Sequence, residues 1–86
     1  MNNSQKEFIE LVLKERLRQN ELFGVQNNTD EVWLSILVEE VGEVAQAIQN
    51  KDFANFNEEI VQIAAVATAW YEARHASDES EASQKR

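Results

Sequence analysis

Apolar residues recur at helical spacing along most of the chain, and the first such stretch covers residues 5–23. Positions three and four apart share one face of a helix, so the spacing predicts a first helix with an apolar face. Ser4 and Glu7 have the spacing of a capping box, and Gly24 suits the C-cap. The apolar residues of this predicted helix are Phe8, Ile9, Leu11, Val12, Leu13 and Leu17.

A second helix is predicted over residues 31–50, with Thr29 or Asp30 as its cap. Its apolar residues form two adjacent seams, so more than one side of the helix is predicted to be buried. Because a chain of 86 residues has a modest core, we expect a second subunit to cover one of these sides. Gly42, inside the helix, permits a close approach of another helix, which is the prediction, or leaves room for a ligand beside the nearby carboxylates. The seams consist of Trp33, Leu37, Val41, Val44 and Ile48, and of Leu34, Val38, Ala45 and Ile48.

A third helix is predicted over residues 56–75, where many alanines permit tight helix packing. Residues 50–57 form the predicted connection to it, with Phe53 and Phe56 folding back onto the core. The stretch 77–86 has no large apolar residue and is predicted to be disordered.

These patterns predict an all-α fold with three main helices per chain, forming a helical bundle completed by oligomerisation. The expected division is a helical domain over residues 1–76 followed by a disordered polar tail over 77–86.

The net charge of −8 disfavours binding to nucleic-acid phosphates and to anionic membranes. It suits a protein that binds cations, or an acidic protein that imitates nucleic acid. The first residues form no apolar signal region, and no apolar run approaches the ~18 residues of a membrane span. We therefore expect a soluble cytoplasmic protein.

Five polar residues lie within the apolar pattern of the second and third helices. Glu40 and Glu43 share a face of the second helix and Glu39 flanks them, while Glu59 and Gln62 share a face of the third. Burying unpaired carboxylates costs several kcal/mol each, so a positive partner is expected. If the helices are antiparallel, these oxygen-bearing side chains converge, and hard oxygen ligands suit Mg²⁺ or Mn²⁺. The alternative is a salt-bridged or solvated acidic stripe.

The motifs around these residues resemble those of the MazG-like, all-α nucleoside triphosphate pyrophosphohydrolase superfamily. Residues 39–43 read EEVGE and match its EExxE signature, and residues 58–62 read EEIVQ and resemble its ExxD signature, with Glu59 at the Glu position. The likeness covers roughly residues 12–74 and is closest to the small, single-domain members.

The resemblance implies a helical bundle completed as a homodimer or, as a dimer of dimers, a homotetramer. It also implies Mg²⁺-dependent hydrolysis of a nucleoside triphosphate to a monophosphate and pyrophosphate, a role in nucleotide-pool housekeeping. By matching positions, Glu40, Glu43 and Glu59 are expected to bind the metal. Glu39 is expected to orient or deprotonate the attacking water.

The sequence departs from the superfamily pattern at Gln62, which stands where ExxD has Asp. Its amide oxygen is a potential fourth metal ligand, but the side chain is neutral and should weaken the cation site. Two alternatives therefore remain beside an active hydrolase: a weakly active or inactive nucleotide- or metal-binding module, and an acidic interaction protein.

Substrate contacts are expected from two further residues. Trp33 lies two helical turns before Glu40 and suits stacking on a base, although a Trp at this spacing also suits the core. Lys51 suits a phosphate contact, or simple exposure on the surface. Arg16 and Arg18 form either a solvated face or a contact with phosphate on a neighbouring surface.

Overall fold

The computed structural model describes the backbone of residues 1–84 and the side chains of residues 1–76. It contains the helices α1 (Asn3–Phe23), α2 (Asp30–Gln49) and α3 (Phe53–Gln84). No strand occurs within residues 1–84. The prediction of an all-α fold with three main helices is confirmed.

The cap of α1 differs from the prediction, whereas its end agrees. The side-chain oxygen of Asn2 accepts a hydrogen bond from the Gln5 backbone N–H, and the Gln5 side chain accepts one from the Asn2 N–H, each at 2.9 Å. The capping box is therefore two residues earlier than Ser4 and Glu7, because Asn is an equally good cap. Gly24 ends the helix with φ 64°, a conformation that favours glycine.

The start of α2 follows the sequence closely. The Thr29 hydroxyl accepts a hydrogen bond from the Val32 backbone N–H at 3.3 Å, so Thr29 is the cap. Asp30 and Glu31 lie in the first turn, where the helix dipole favours negative charge. Asp30 also accepts hydrogen bonds from Trp70 at 2.9 Å and Arg74 at 3.1 Å, which fasten α3 to this end of α2.

The turn between α2 and α3 is shorter than predicted. Lys51 has φ 55°, and the Asp52 carboxylate accepts a hydrogen bond from the Asn55 backbone N–H at 3.2 Å. This cap starts α3 at Phe53 rather than at residue 56. Phe53 is 69% exposed, so the prediction that it folds back onto the core is wrong.

α3 ends later than predicted. Its helical backbone continues past residue 75 to Gln84. The predicted tail over 77–86 overlaps this stretch, and Lys85 and Arg86 lie outside the described residues. The division at residue 76 stays a prediction.

The core lies where α2 meets α3. Trp33, Val66 and Ala69 form its buried centre, and Ile36, Leu37, Trp70 and Ala73 pack around them. The small alanines of α3 allow the two helices to approach closely. α3 also packs against α1, where Val12 is buried. This packing sets the middle of α2 beside the first turns of α3.

Much of the apolar surface of α1 and α2 is not covered within the chain. An added Cβ at Gly42 would meet no atom within 4 Å, so the close helix approach predicted there is not made inside one chain. Within residues 1–84, no helix has the length and apolarity that a membrane span requires. The large exposed apolar side chains of α2 are Val32, Leu34, Val38, Val41 and Ile48, and those of α1 include Leu11, Leu13, Leu17, Leu22 and Phe23.

Candidate metal centre

Three of the predicted site residues converge between α2 and α3. Glu40 and Glu43 lie one turn apart on α2, and Glu59 lies early in α3. One carboxylate oxygen from each lies within 4.8 Å of the other two. Helical spacing brings Glu40 and Glu43 to one face, and the packing of α3 on α2 adds Glu59. We call this set the carboxylate trio.

The carboxylate trio is electrostatically strained without a cation. Burial raises the pKa of Glu59, and a hydrogen bond that protonated Glu59 donates to Glu40 raises it further. Burial is also the main cause that raises the pKa of Glu40. The hydrogen bond and the charge of Glu59 raise the pKa of Glu43. Three carboxylates this close resist full ionisation, as expected for like charges that share one site.

The donor set of the trio fits a divalent cation. Glu59 Oε2 is buried and accepts no hydrogen bond from the residues that the structure describes, so one carboxylate oxygen of the trio is available to a ligand. None of the ion pairs among the described side chains involves Glu40, Glu43 or Glu59, which argues against the salt-bridged stripe. Three carboxylates and no Cys in the chain suit Mg²⁺ or Mn²⁺ rather than zinc.

Glu39 is exposed beside the trio and does not belong to it. Its negative charge contributes to the raised pKa of both Glu40 and Glu43. An exposed carboxylate next to a metal site is well placed to contact solvent. Its expected role toward the attacking water stays a prediction.

Gln62 lies one turn after Glu59, on the side of α3 that meets α1. Its Oε1 accepts a hydrogen bond from Gln19 Nε2 at 3.3 Å. Gln62 and Glu40 line the same cavity of about 220 Å³, so the position of the missing Asp borders the trio. Whether its oxygen also binds metal stays a prediction.

Trp33 is 4% exposed and packs against Val66 and Ala69. It is therefore a core residue in this chain, although it also lines the cavity that contains Glu40 and Gln62. Its expected stacking on a base stays a prediction.

Lys51 is exposed in the turn between α2 and α3. A cavity of about 290 Å³ lies beside Glu43 and Glu59, and its walls include Asn50 and Asp52 but not Lys51. A phosphate contact by Lys51 stays a prediction.

A polar network on α1 reaches Gln62, and the sequence pattern did not predict it. Arg18 donates two hydrogen bonds to Glu15, from Nε and Nη2, each at 2.7 Å. Gln19 Nε2 donates to Glu15 at 3.1 Å as well as to Gln62. The Arg18 guanidinium is the main cause that lowers the pKa of Glu15 to about 2. The spacing of these residues on α1 indicates their mutual contacts, but not their contact with α3.

This network and one residue of the carboxylate trio, Glu40, line the same cavity. The 220 Å³ cavity is lined by Arg18 and Gln19 from α1, by Glu40 from α2 and by Gln62 from α3. Trp33, Val66 and Ala69 supply apolar wall. Polar groups from all three helices therefore face one small cavity with a partly apolar wall.

Comparison with known proteins identifies the family of this chain. Residues 28–78 match the family model described as the MazG nucleotide pyrophosphohydrolase domain. The matched range contains α2, the start of α3 and all three residues of the trio, whereas α1 lies outside it. No curated protein and no solved structure showed a significant match. Because the matched residues make up more than half of the chain, the protein belongs to the MazG nucleotide pyrophosphohydrolase domain family.

Proposed function

We propose that the protein is a Mg²⁺-dependent hydrolase that converts nucleoside triphosphates to monophosphates and pyrophosphate. The observation that carries this proposal is the convergence of Glu40, Glu43 and Glu59 within 4.8 Å of one another, in a chain of the MazG family. The activity suits housekeeping of the nucleotide pool, and we propose a cytoplasmic location for it. The net charge of −8 makes nucleic acid an unfavourable partner.

In this proposal Glu40, Glu43 and Glu59 hold Mg²⁺, with Mn²⁺ as a substitute and Gln62 as a neutral neighbour. A bound divalent cation supplies an electrophilic contact for phosphate oxygens and offsets the charge that develops on them. The trio keeps its three carboxylates preorganised for this contact, so little reorganisation is needed when substrate binds.

The protein's own residues then direct the hydrolysis. Glu39 orients the attacking water and accepts its proton, and its exposed position beside the trio supports this role. The water oxygen bonds to the α-phosphorus, and the bond from that phosphorus to the bridging oxygen breaks to release pyrophosphate. Trp33 supplies apolar wall for the nucleoside, and Lys51 approaches the phosphates from the turn between α2 and α3.

We further propose that the functional unit is a homodimer or a dimer of dimers. The exposed large apolar side chains of α1 and α2 support it, because a monomer rarely leaves so much contiguous apolar surface in water. An interface on α2 would lie directly beside the trio.

Pyrophosphate release tests the hydrolase proposal. Purified protein with Mg²⁺ should release pyrophosphate, not orthophosphate, from at least one member of a panel of nucleoside and deoxynucleoside triphosphates. Glu43→Gln should abolish the release because it removes a charged ligand. Glu10→Gln serves as the matched control, since Glu10 is exposed on α1. Absence of turnover across the panel with both Mg²⁺ and Mn²⁺ would contradict the proposal.

The second candidate function is a nucleotide- or metal-binding module with little turnover. The observation that favours it is Gln62, which is neutral and already accepts a hydrogen bond from Gln19. Gln62→Asp separates the two functions. A silent native protein that gains activity from this change supports the module, whereas high native activity rules it out.

A further inference from the structure

The proposed substrate and the protein are both strongly negative. A nucleoside triphosphate brings several negative charges to a cluster of three carboxylates in a protein of net charge −8. Leaving pyrophosphate gains further charge as the bond breaks, so a cationic side chain near the metal would stabilise both substrate and product. Arginine is the side chain best suited to such a contact because its planar group binds phosphate through paired N–H donors.

Arg18 is a cation that lines the same cavity as Glu40, one of the three proposed metal ligands. It lines the 220 Å³ cavity together with Glu40 and Gln62. Its side chain is 55% exposed, which leaves part of the guanidinium open to a ligand. Its two hydrogen bonds to Glu15 use Nε and Nη2, and Nη1 forms none among the described side chains.

Glu15 holds Arg18 in a defined orientation. The two hydrogen bonds of 2.7 Å form a bidentate ion pair, and the Glu15 side chain is only 11% exposed. Arg18 and its other hydrogen-bond donors keep the pKa of Glu15 at about 2, so Glu15 stays ionised at neutral pH. A half-buried carboxylate that is ionised at neutral pH holds the guanidinium in place beside the cavity that Arg18 lines.

This arrangement gives a physical reason for the neutral residue at position 62. Gln19 Nε2 donates to both Glu15 and Gln62 Oε1, so the Glu15 carboxylate and the Gln62 amide share one donor. An Asp at position 62 would place a second carboxylate beside Glu15 and compete for Arg18. The α1 partners lie outside residues 28–78, which match the family model.

We infer that Arg18 contacts the phosphates that leave as pyrophosphate, and that Glu15 and Gln62 are the residues that position it. The inference rests on the proposed hydrolase function for its place in catalysis. It extends that function by assigning the leaving-group contact to α1, and by assigning Gln62 a supporting role in place of the lost acidic ligand.

Binding of inorganic pyrophosphate tests Arg18 without requiring turnover. Titration calorimetry with Mg²⁺ and pyrophosphate should show that Arg18→Gln weakens binding by roughly 10- to 100-fold, the range for losing a hydrogen bond to a charged group. Arg74→Gln is the matched control because Arg74 also forms an exposed ion pair, with Asp30. Affinity for Mn²⁺ alone should stay unchanged in Arg18→Gln and fall in Glu43→Gln. Equal pyrophosphate affinity in Arg18→Gln and native protein, or no binding by either, would overturn the inference.

The same variants separate the inference from the hydrolase proposal. If the native protein turns over, Arg18→Gln and Glu15→Gln should lower kcat/KM while helical circular dichroism is retained, and Arg18→Lys should restore only part of it. Native turnover with an unaffected Arg18→Gln would overturn the inference and leave the hydrolase intact. If the native protein shows no turnover but binds pyrophosphate in a way that depends on Arg18, the hydrolase proposal is overturned and the inference about Arg18 stands.

Position 62 supplies an independent test by double mutation. Gln62→Asp should weaken pyrophosphate binding in the native background because the new carboxylate opposes Glu15. In the Glu15→Gln background the same change should weaken binding less, since the opposing charge is gone. Tighter pyrophosphate binding or higher activity in the single Gln62→Asp variant would contradict the positioning role.

Discussion

At the scale of single residues, Glu59 shows most clearly why the site favours a bound cation. Its Oε2 is buried and accepts no hydrogen bond, and both burial and Glu40 raise its pKa. A polar atom in this state is expensive unless it gains a partner. A divalent cation provides that partner and favours the ionised form of all three carboxylates, because opposite charge lowers the pKa of an acid.

Glu59→Gln should therefore have opposite effects with and without metal. The neutral amide removes like-charge repulsion, so metal-free protein at neutral pH should gain a few degrees in Tm. The same change removes a charged ligand, so Mn²⁺ should no longer raise the Tm. Thermal unfolding followed by circular dichroism measures both, with Glu10→Gln as the control. A variant that is less stable than the native protein and still stabilised by Mn²⁺ would contradict the assignment.

The pH dependence of stability follows from the sign of the same shifts. The folded pKa values of Glu40, Glu43 and Glu59 are raised above 4.5. Their contribution is present below that value and is lost as pH rises through the folded pKa values. Urea unfolding of metal-free protein should show stability falling as pH rises above 4.5 and through the raised folded pKa values, and Mn²⁺ should remove the fall.

The change in stability at low pH depends on Glu15. Its folded pKa of about 2 is below the ordinary value of 4.5, so its stabilisation is present above about pH 4.5 and lost as pH falls through about 2. In Glu15→Gln the free energy of unfolding should fall less as pH is lowered through this range. If the variant loses as much stability at low pH as the native protein does, the ion pair of Glu15 with Arg18 does not stabilise the fold.

At the scale of helices, apolar spacing predicted the elements well and their ends less well. The three helices and the Thr29 and Gly24 caps follow from local patterns. The start of α1 was misplaced because Asn2 and Ser4 are both good caps, and only the fold selects Asn2. The start of α3 was misplaced because Asp52 caps it directly after a tight turn.

The candidate site shows the same limit. Glu40 and Glu43 are adjacent by helical spacing alone, so the sequence predicts two of the three residues of the trio without tertiary information. Glu59 required the assumption of antiparallel helices, which the packing of α3 on α2 meets. The link between Gln19 and Gln62 joins residues 43 positions apart, and no local pattern indicates which face of α1 meets α3.

Gly42 gives a test of how α2 is used. In one chain, an added Cβ at Gly42 meets only open space, and Val38 and Val41 beside it are exposed. If a second copy packs there, Gly42→Ala should weaken the dimer, which analytical ultracentrifugation measures as a larger dissociation constant. A gain of about 1 kcal/mol from helix propensity, with unchanged mass at every concentration, would show that no partner packs at Gly42.

At the scale of the whole molecule, a small core and a large exposed apolar surface occur together with high negative charge. The buried centre consists of Trp33, Val66 and Ala69, which is modest for a chain of 86 residues. Subunit association would add apolar burial, and bound cations would offset part of the net charge of −8. Both effects would stabilise the fold at the place where the proposed chemistry occurs.

Anomalous diffraction from crystals grown with Mn²⁺ tests the central claim most directly. The account predicts a manganese peak between α2 and α3, in contact with one carboxylate oxygen each from Glu40, Glu43 and Glu59. Glu43→Gln crystals grown in the same way should lack the peak. A native map without a peak there, with the three carboxylates turned apart into solvent, would contradict the account.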